Sequence, residues 1–170
     1  MSILRRIDLF LETIVFTVLI TGTVAFCLPR IILDSARLRL PTSWPVAQLA
    51  APVPLGLGAA IYLRCVWEFA TRGRGIPAPI DHPKELAVTG LYRYVRNPMY
   101  LGVLLFLLGE ALFFQYGNLF LYAMWWLALV HLNVPFYEEP NLKRKFGRSY
   151  KKYARAVDRW APGRKYIESE

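Results

Sequence analysis

Between Thr89 and Tyr100 the chain reads Thr89-Gly90-Leu91-Tyr92-Arg93-Tyr94-Val95-Arg96-Asn97-Pro98-Met99-Tyr100, and a pair of carboxylates, Glu138 and Glu139, follows downstream. Arg96 can pair bidentately with a carboxylate or phosphate. Tyr92 and Tyr100 offer flat faces to an aromatic base or a cation. Asn97 is a good N-cap and Pro98 suits the first position of a helix, so a helix is predicted to start there. The free amides and positive dipole end of that helix would attract an anion. Glu138 and Glu139 can accept hydrogen bonds from a diol or an ammonium group. Polar groups of both signs at one place suit a small zwitterionic or multiply charged ligand. Arg and Tyr are also ordinary anchors at membrane interfaces, and a Glu pair after a helix is often simply solvated.

The elements that must position these residues are apolar. Hydrophobic residues make up 55% of the 170-residue chain and the mean hydropathy is +0.30, too apolar for an ordinary soluble domain. The apolar residues fall in long runs. Leu9 to Leu28 holds Glu12 as its only charge, enough chain to span a bilayer core. Val46 to Ala70 stays apolar until Arg64 and Glu68, and Tyr100 to Phe114 and Leu119 to Phe136 are separated only by Gln115-Tyr116-Gly117-Asn118. The expectation is an all-α, polytopic membrane protein with about four transmembrane helices. Residues 1–70 form the first two, the last two make a helical hairpin, and a cytoplasmic amphipathic helix follows. One domain, residues 1–170, covers the whole. The first run is too long for a signal peptide and lacks a small-x-small cleavage site after Cys27.

The net charge is +9, and its placement is informative. With both termini in the cytoplasm, the cytoplasmic segments hold Arg5, Arg6, Arg72, Arg74, Lys84, Arg93, Arg96 and ten more Lys or Arg after Glu139. The outer loop, Pro29 to Pro45, keeps Arg30, Arg37 and Arg39. That follows the positive-inside bias of a membrane protein, and the expected location is the bacterial cytoplasmic membrane. The basic tail reads as a contact for anionic membrane lipids, and no nucleic-acid recognition motif accompanies it. Cys27 and Cys65 stand at no metal or redox spacing, and His82 and His131 are too scattered for a metal cluster, so no metal is implied.

Several residues stand out within these elements. Gly56, Gly58, Ala59 and Ala60 allow close approach of another helix. Arg64 and Glu68 are spaced to pair on one helix face, either as a structural pair or as lining of a site. Residues 71–89 carry Gly73, Gly75, Pro77, Pro79 and Pro83 and read as an ordered excursion or lid. Gly102 and Gly109 share a helix face. Glu110 is an acid in an apolar run near its outer end. Pro135 is expected to bend its helix. Leu142, Phe146, Tyr150, Tyr153 and Val157 recur at helical spacing among cations, the pattern of an amphipathic helix.

An adenine ring over a tyrosine, a ribose diol and ammonium at the glutamates, and a carboxylate at Arg96 or the helix start together describe S-adenosylmethionine. The same residues resemble the isoprenylcysteine carboxyl methyltransferase family, within the wider group of membrane-embedded phospholipid methyltransferases. That pattern is Gly-x-Tyr, Arg-His-Pro-x-Tyr, a helical hairpin, then Glu-Glu-x-x-Leu-x-x-x-Phe-Gly-x-x-Tyr-x-x-Tyr. Here it reads Gly90-Leu91-Tyr92, Arg96-Asn97-Pro98-Met99-Tyr100, Glu138-Glu139-Pro140-Asn141-Leu142, Phe146-Gly147, Tyr150 and Tyr153, within roughly residues 80–162. The resemblance implies that Tyr92, Asn97, Pro98, Met99, Tyr100 and Glu138 contact S-adenosylmethionine, with Arg96 and Glu139 supporting the pocket and Leu86 and Ala87 flanking it.

Two departures bear on the acceptor. Asn97 replaces the family's usual His, which keeps hydrogen bonding and loses an ionisable ring. Members that methylate prenylcysteine carry an Arg shortly before the glutamate pair, where this chain has His131-Leu132-Asn133-Val134. The resemblance therefore implies an integral membrane methyltransferase that moves a methyl group to a lipophilic or lipid acceptor, without designating prenylcysteine. An ionised carboxylate acceptor needs no general base; an amine or hydroxyl would, with His131 or Glu139 as candidates. An NADPH-dependent membrane sterol-type reductase and a non-enzymatic scaffold or accessory protein are the rival readings.

Overall fold

Helix formation follows the apolar runs, because a backbone in hydrocarbon must satisfy its own polar groups. A computed structural model describes residues 17–35, 46–72, 88–163 and 165–167, and all regular structure among them is helical. Two π-helical turns, Thr17–Thr21 and Thr23–Cys27, lead into α1 (Leu28–Ser35). A short α2 (Val46–Ala50) precedes α3 (Pro52–Arg72). A 3-10 turn, Gly90–Arg93, then leads to α4 (Pro98–Phe114) and α5 (Gly117–Asn133). A π-helical turn, Val134–Glu138, joins α5 to α6 (Glu139–Ala156).

Two stretches are long and apolar enough to cross a membrane, the 23 residues Val46–Glu68 and the 40-residue helical run Gly117–Ala156; α4 is a shorter apolar helix. The first predicted run is described only from Thr17 onward, so the expected set of four spans is matched here by two helices of sufficient length. Their outward faces carry Leu57, Leu63, Trp67, Leu121, Trp125 and Leu132, each more than half exposed. In water such a surface would aggregate; against lipid it is the ordinary state.

The most extensive helix contact joins α3 to α4, and glycines make it possible. A Cβ on Gly58 would lie 2.6 Å from both the Gly102 carbonyl oxygen and the Phe106 nitrogen. One on Gly109 would lie 2.7 Å from Leu55 Cγ. The face shared by Gly102 and Gly109 is thus the one that receives α3, where van der Waals packing of close backbones holds helices together in lipid. Gly56 meets nothing within 4 Å. Tyr62, Val103, Leu107 and Ala123 form the core beside this contact. Gln115, in the left-handed region at φ 51°, ends α4 and turns the chain into the predicted α4–α5 hairpin.

The bend expected at Pro135 takes the form of the π turn, which accommodates the missing amide without ending the helix. The amphipathic helix is therefore continuous with α5 rather than a separate element. Within α6, Gly147 departs to φ 53°, ψ −118°, a conformation open to glycine alone among common residues. Tyr150, Tyr153 and Val157 bury against Val88, with Leu142 and Phe146 packed beside them, while Lys143, Arg144, Lys145, Arg148, Lys151, Lys152 and Arg155 face outward.

Candidate functional site

The Gly90–Tyr100 segment is irregular, so its backbone groups must find partners outside helices. They find them in the tail after α6. Arg96 N donates to Asp158 O at 2.9 Å, Gly163 N to Tyr94 O at 2.9 Å, and Tyr166 N to Arg93 O at 2.9 Å. The Tyr153 hydroxyl donates to Tyr92 O at 2.7 Å. Residues 158–163, together with 165 and 166, are thereby strapped along the motif loop. Asn97 stands at the N-cap position and Pro98 at N1, as the sequence predicts. The Asn97 side chain, however, makes no cap hydrogen bond; its amide instead donates to Arg159 O at 3.2 Å. The capping expectation is corrected: donation to the Arg159 carbonyl orients the Asn97 side chain towards the strap, which it fastens.

The two glutamates have separate surroundings. Glu139 is 6% exposed and takes Arg96 Nη1 at 3.0 Å, Arg159 Nε at 2.6 Å and Lys143 Nζ at 3.6 Å. Burial alone would raise its pKa, but the Arg159 hydrogen bond and the Arg96, Arg159 and Lys143 charges outweigh it and hold the carboxyl below the usual range. Glu138, also beyond the apolar part of its helix, accepts hydrogen bonds from the Tyr100 hydroxyl and from Asn133 Nδ2 at 3.0 Å. For Glu138 burial dominates and pushes the pKa up, with the neighbouring Glu139 charge adding to it. Two adjacent carboxylates driven in opposite directions mark a division of roles. Glu139 is a structural clamp between α6, the motif loop and the strap. Glu138 faces Tyr100 across the hairpin.

Tyr92 approaches α3, its hydroxyl hydrogen-bonded with Cys65. Burial, followed by the Cys65 and Tyr153 neighbours, raises its pKa well above the ordinary tyrosine value. Pro98 is buried, and Met99 packs against the α3–α4 core. Tyr100 meets Trp126 edge-on at 6.4 Å between ring centroids. Leu86 and Ala87, with most of the 71–89 loop, lie outside the described residues. The sequence leaves Glu68 open between a structural pair with Arg64 and the lining of a site, and it does not assign Arg159 or Trp160 to the site. Nothing local in the sequence announces that the tail returns to residues 93–97.

Beside this polar cluster an apolar groove of about 460 Å³ opens between the hairpin helices. Leu101 and Leu104 of α4 face Met124, Leu127 and Ala128 of α5, and His131 and Trp160 close one end. The His131 and Trp160 rings stack at 5.9 Å and 25°. Among the described residues, Arg96 Nε and Trp160 Nε1 are buried without a hydrogen-bond acceptor, and no group of three or more His, Cys, Asp or Glu side chains is arranged to hold a metal ion.

The order and geometry of these parts can be set beside known proteins. The family model described as phospholipid methyltransferase matches residues 48–149. The chain belongs to the phospholipid methyltransferase family. The matched region runs from α2 past the glutamate pair into α6, so it contains α3, the motif loop, the hairpin and both glutamates, while Arg159 and the strap lie beyond it. Membership of the phospholipid methyltransferase family, with apolar helices of membrane-crossing length, identifies a membrane methyltransferase. No curated protein and no solved structure matches the chain significantly.

Proposed function

We propose that this protein transfers a methyl group from S-adenosylmethionine to a lipophilic acceptor at the cytoplasmic membrane face. The observation that carries the reading is the juxtaposition of a polar cluster, Tyr92 to Tyr100 with Glu138, and an apolar groove reaching down the same hairpin. In this reading the chain has four spans, the first two within residues 1–70, and both termini lie in the cytoplasm, in keeping with the positive-inside charge distribution.

The residues present fit such a methyl donor. Arg96 Nε is a buried donor left over for a carboxylate. Tyr92 and Tyr100 bring aromatic surface, and the Glu138 carboxylate suits an ammonium or a ribose hydroxyl. Pro98 and Met99, at the start of α4, supply the apolar floor, and Leu86 and Ala87 belong beside it. When bound, S-adenosylmethionine supplies an electrophilic methyl group on a sulfonium whose departure leaves a neutral thioether.

The chain's own residues then have three tasks. The first is alignment: the strap and the Glu139 clamp hold Arg96 and Asn97 in register with Tyr100, and fixed geometry is the main source of rate in an in-line displacement. The second is exclusion of water, performed by the apolar walls of the groove. The third is the proton. A carboxylate acceptor arrives ionised and needs no base. For an amine or hydroxyl acceptor, His131 at the end of the groove is the group placed to accept the proton, whereas both oxygens of Glu139 are held by cations.

Incubation of the purified protein with membrane lipid extract and radiolabelled S-adenosylmethionine tests the proposal. It predicts label in an organic-phase product whose formation is lost in the Glu138→Ala variant. Absence of labelled lipophilic product from extracts of several membranes would overturn it.

A further inference from the structure

Glu68 lies one turn beyond Arg64, near the end of α3, and belongs to no part of the motif. Its side chain is 5% exposed, yet neither carboxylate oxygen has a hydrogen-bond partner among the described residues. Arg64 Nη2 comes to 3.2 Å of Oε1, an ion pair without hydrogen-bond geometry, and the Arg64 side chain is 58% exposed. A carboxylate taken out of water without hydrogen bonds is among the costliest arrangements in a protein. It persists where something else repays it, and ionisable groups in membrane helices are functional more often than not.

The surroundings say what repays it. The carboxylate lies directly over Gly90, so close that any Cβ there would overlap it, and Gly90 sits at φ +52°. The loop is therefore shaped, by the absence of a side chain and by a left-handed backbone, to admit this carboxylate. Cys65, one turn before Glu68, shares a hydrogen bond with Tyr92. Glu68 and Tyr92 thus stand on the same side of the motif loop, at the point where Gly90-Leu91-Tyr92 meets α3.

We propose that Glu68 is a ligand-binding residue of the methyl-donor pocket, its buried carboxylate accepting hydrogen bonds from N–H or O–H groups of S-adenosylmethionine. The inference rests on the reading given under Proposed function and adds to it a wall supplied by α3. The shared chemistry is a hydrogen-bond donor, drawn either from the α-ammonium or from the ribose hydroxyls.

Calorimetric titration of S-adenosylhomocysteine into the purified protein in lipid nanodiscs tests this, with Glu68→Gln and Arg64→Met as variants. Glu68→Gln is expected to bind about tenfold or more weakly, the effect of losing a charged acceptor. Its melting temperature without S-adenosylhomocysteine should match or exceed that of the unmodified protein, since a buried charge has been removed. Arg64→Met, which breaks only the ion pair, should keep its affinity within about twofold. A desamino analogue that binds both Glu68 forms equally identifies the ammonium as the partner; a 2′,3′-dideoxy analogue that does so identifies the ribose. Equal affinity of Glu68→Gln and the unmodified protein would overturn the assignment, as would an equal loss in Arg64→Met. Failure of the unmodified protein to bind would instead remove the methyl-donor reading, and the Glu68 assignment with it.

Discussion

Replacing Glu139 by Gln removes the single charge that Arg96, Arg159 and Lys143 share. The Arg96 side chain is 12% exposed and Glu139 6%, so this is a buried pair; Arg159 and Lys143 are 31% and 46% exposed. Orphaning a buried partner outright costs about 3–5 kcal/mol. Gln keeps an acceptor for Arg96, which moves the cost towards the loss of a charge-assisted hydrogen bond, about 1.5–3 kcal/mol. The exposed pairs add little because solvent screens them. The expected loss is therefore about 2–3 kcal/mol, or a melting temperature lower by about 4–12 °C for a domain of this size. The readout is thermal unfolding in nanodiscs, paired with limited proteolysis of residues 158–166, which should become cleavable as the strap loosens. Arg96→Met in the Glu139→Gln background should restore part of the loss, because no buried charge is left unpaired. A melting temperature unchanged within about 1 °C, with the tail still protected, would refute the clamp.

Three further outcomes follow from the same geometry. Gly58→Ala, whose new Cβ would meet backbone atoms of α4 at 2.6 Å, should destabilise by about 1–3 kcal/mol, whereas Gly56→Ala, facing open space, should be neutral or stabilising by about 0.5–1 kcal/mol; denaturation of the two variants side by side checks this. Leu104→Trp fills the groove and should slow transfer to long-chain acceptors while leaving S-adenosylhomocysteine affinity unchanged, as a paired kinetic and binding assay would read. Because Glu139 is held below the usual carboxylate range, its stabilisation is complete above the unfolded pKa of about 4.3 and is lost as pH falls through the lower folded value; the melting difference between the unmodified protein and Glu139→Gln should be flat above about pH 6 and shrink under acid.

Much of this architecture is legible in the sequence because its causes are local. Pro98 marks a helix start by its own backbone restriction, and Gly102 with Gly109 marks a contact face by helical spacing. Gly58 shows what the pattern leaves open: only the structure distinguishes it from Gly56, two residues away on the other side of the same helix. The roles of Asn97 and Glu139 were less legible. Asn97 has the right type for a cap, but its amide goes to a carbonyl of residue 159, a partner fixed by tertiary return of the tail. Glu138 and Glu139 are identical in type and adjacent, and only the rotation of about 100° between neighbouring helical positions sends one to Tyr100 and the other to three cations. Glu68 carries a visible partner four residues earlier, which hid its more telling neighbour, Gly90, across a long loop.

The most direct test of the central claim is equilibrium binding of S-adenosylhomocysteine to the purified, membrane-reconstituted protein, measured by calorimetry against Glu138→Ala and against NADPH. The account predicts saturable binding by the unmodified protein, a loss of about tenfold or more in Glu138→Ala at unchanged fold, and no heat with NADPH. Silence with S-adenosylhomocysteine, or equal affinity in the Glu138→Ala variant, would contradict it.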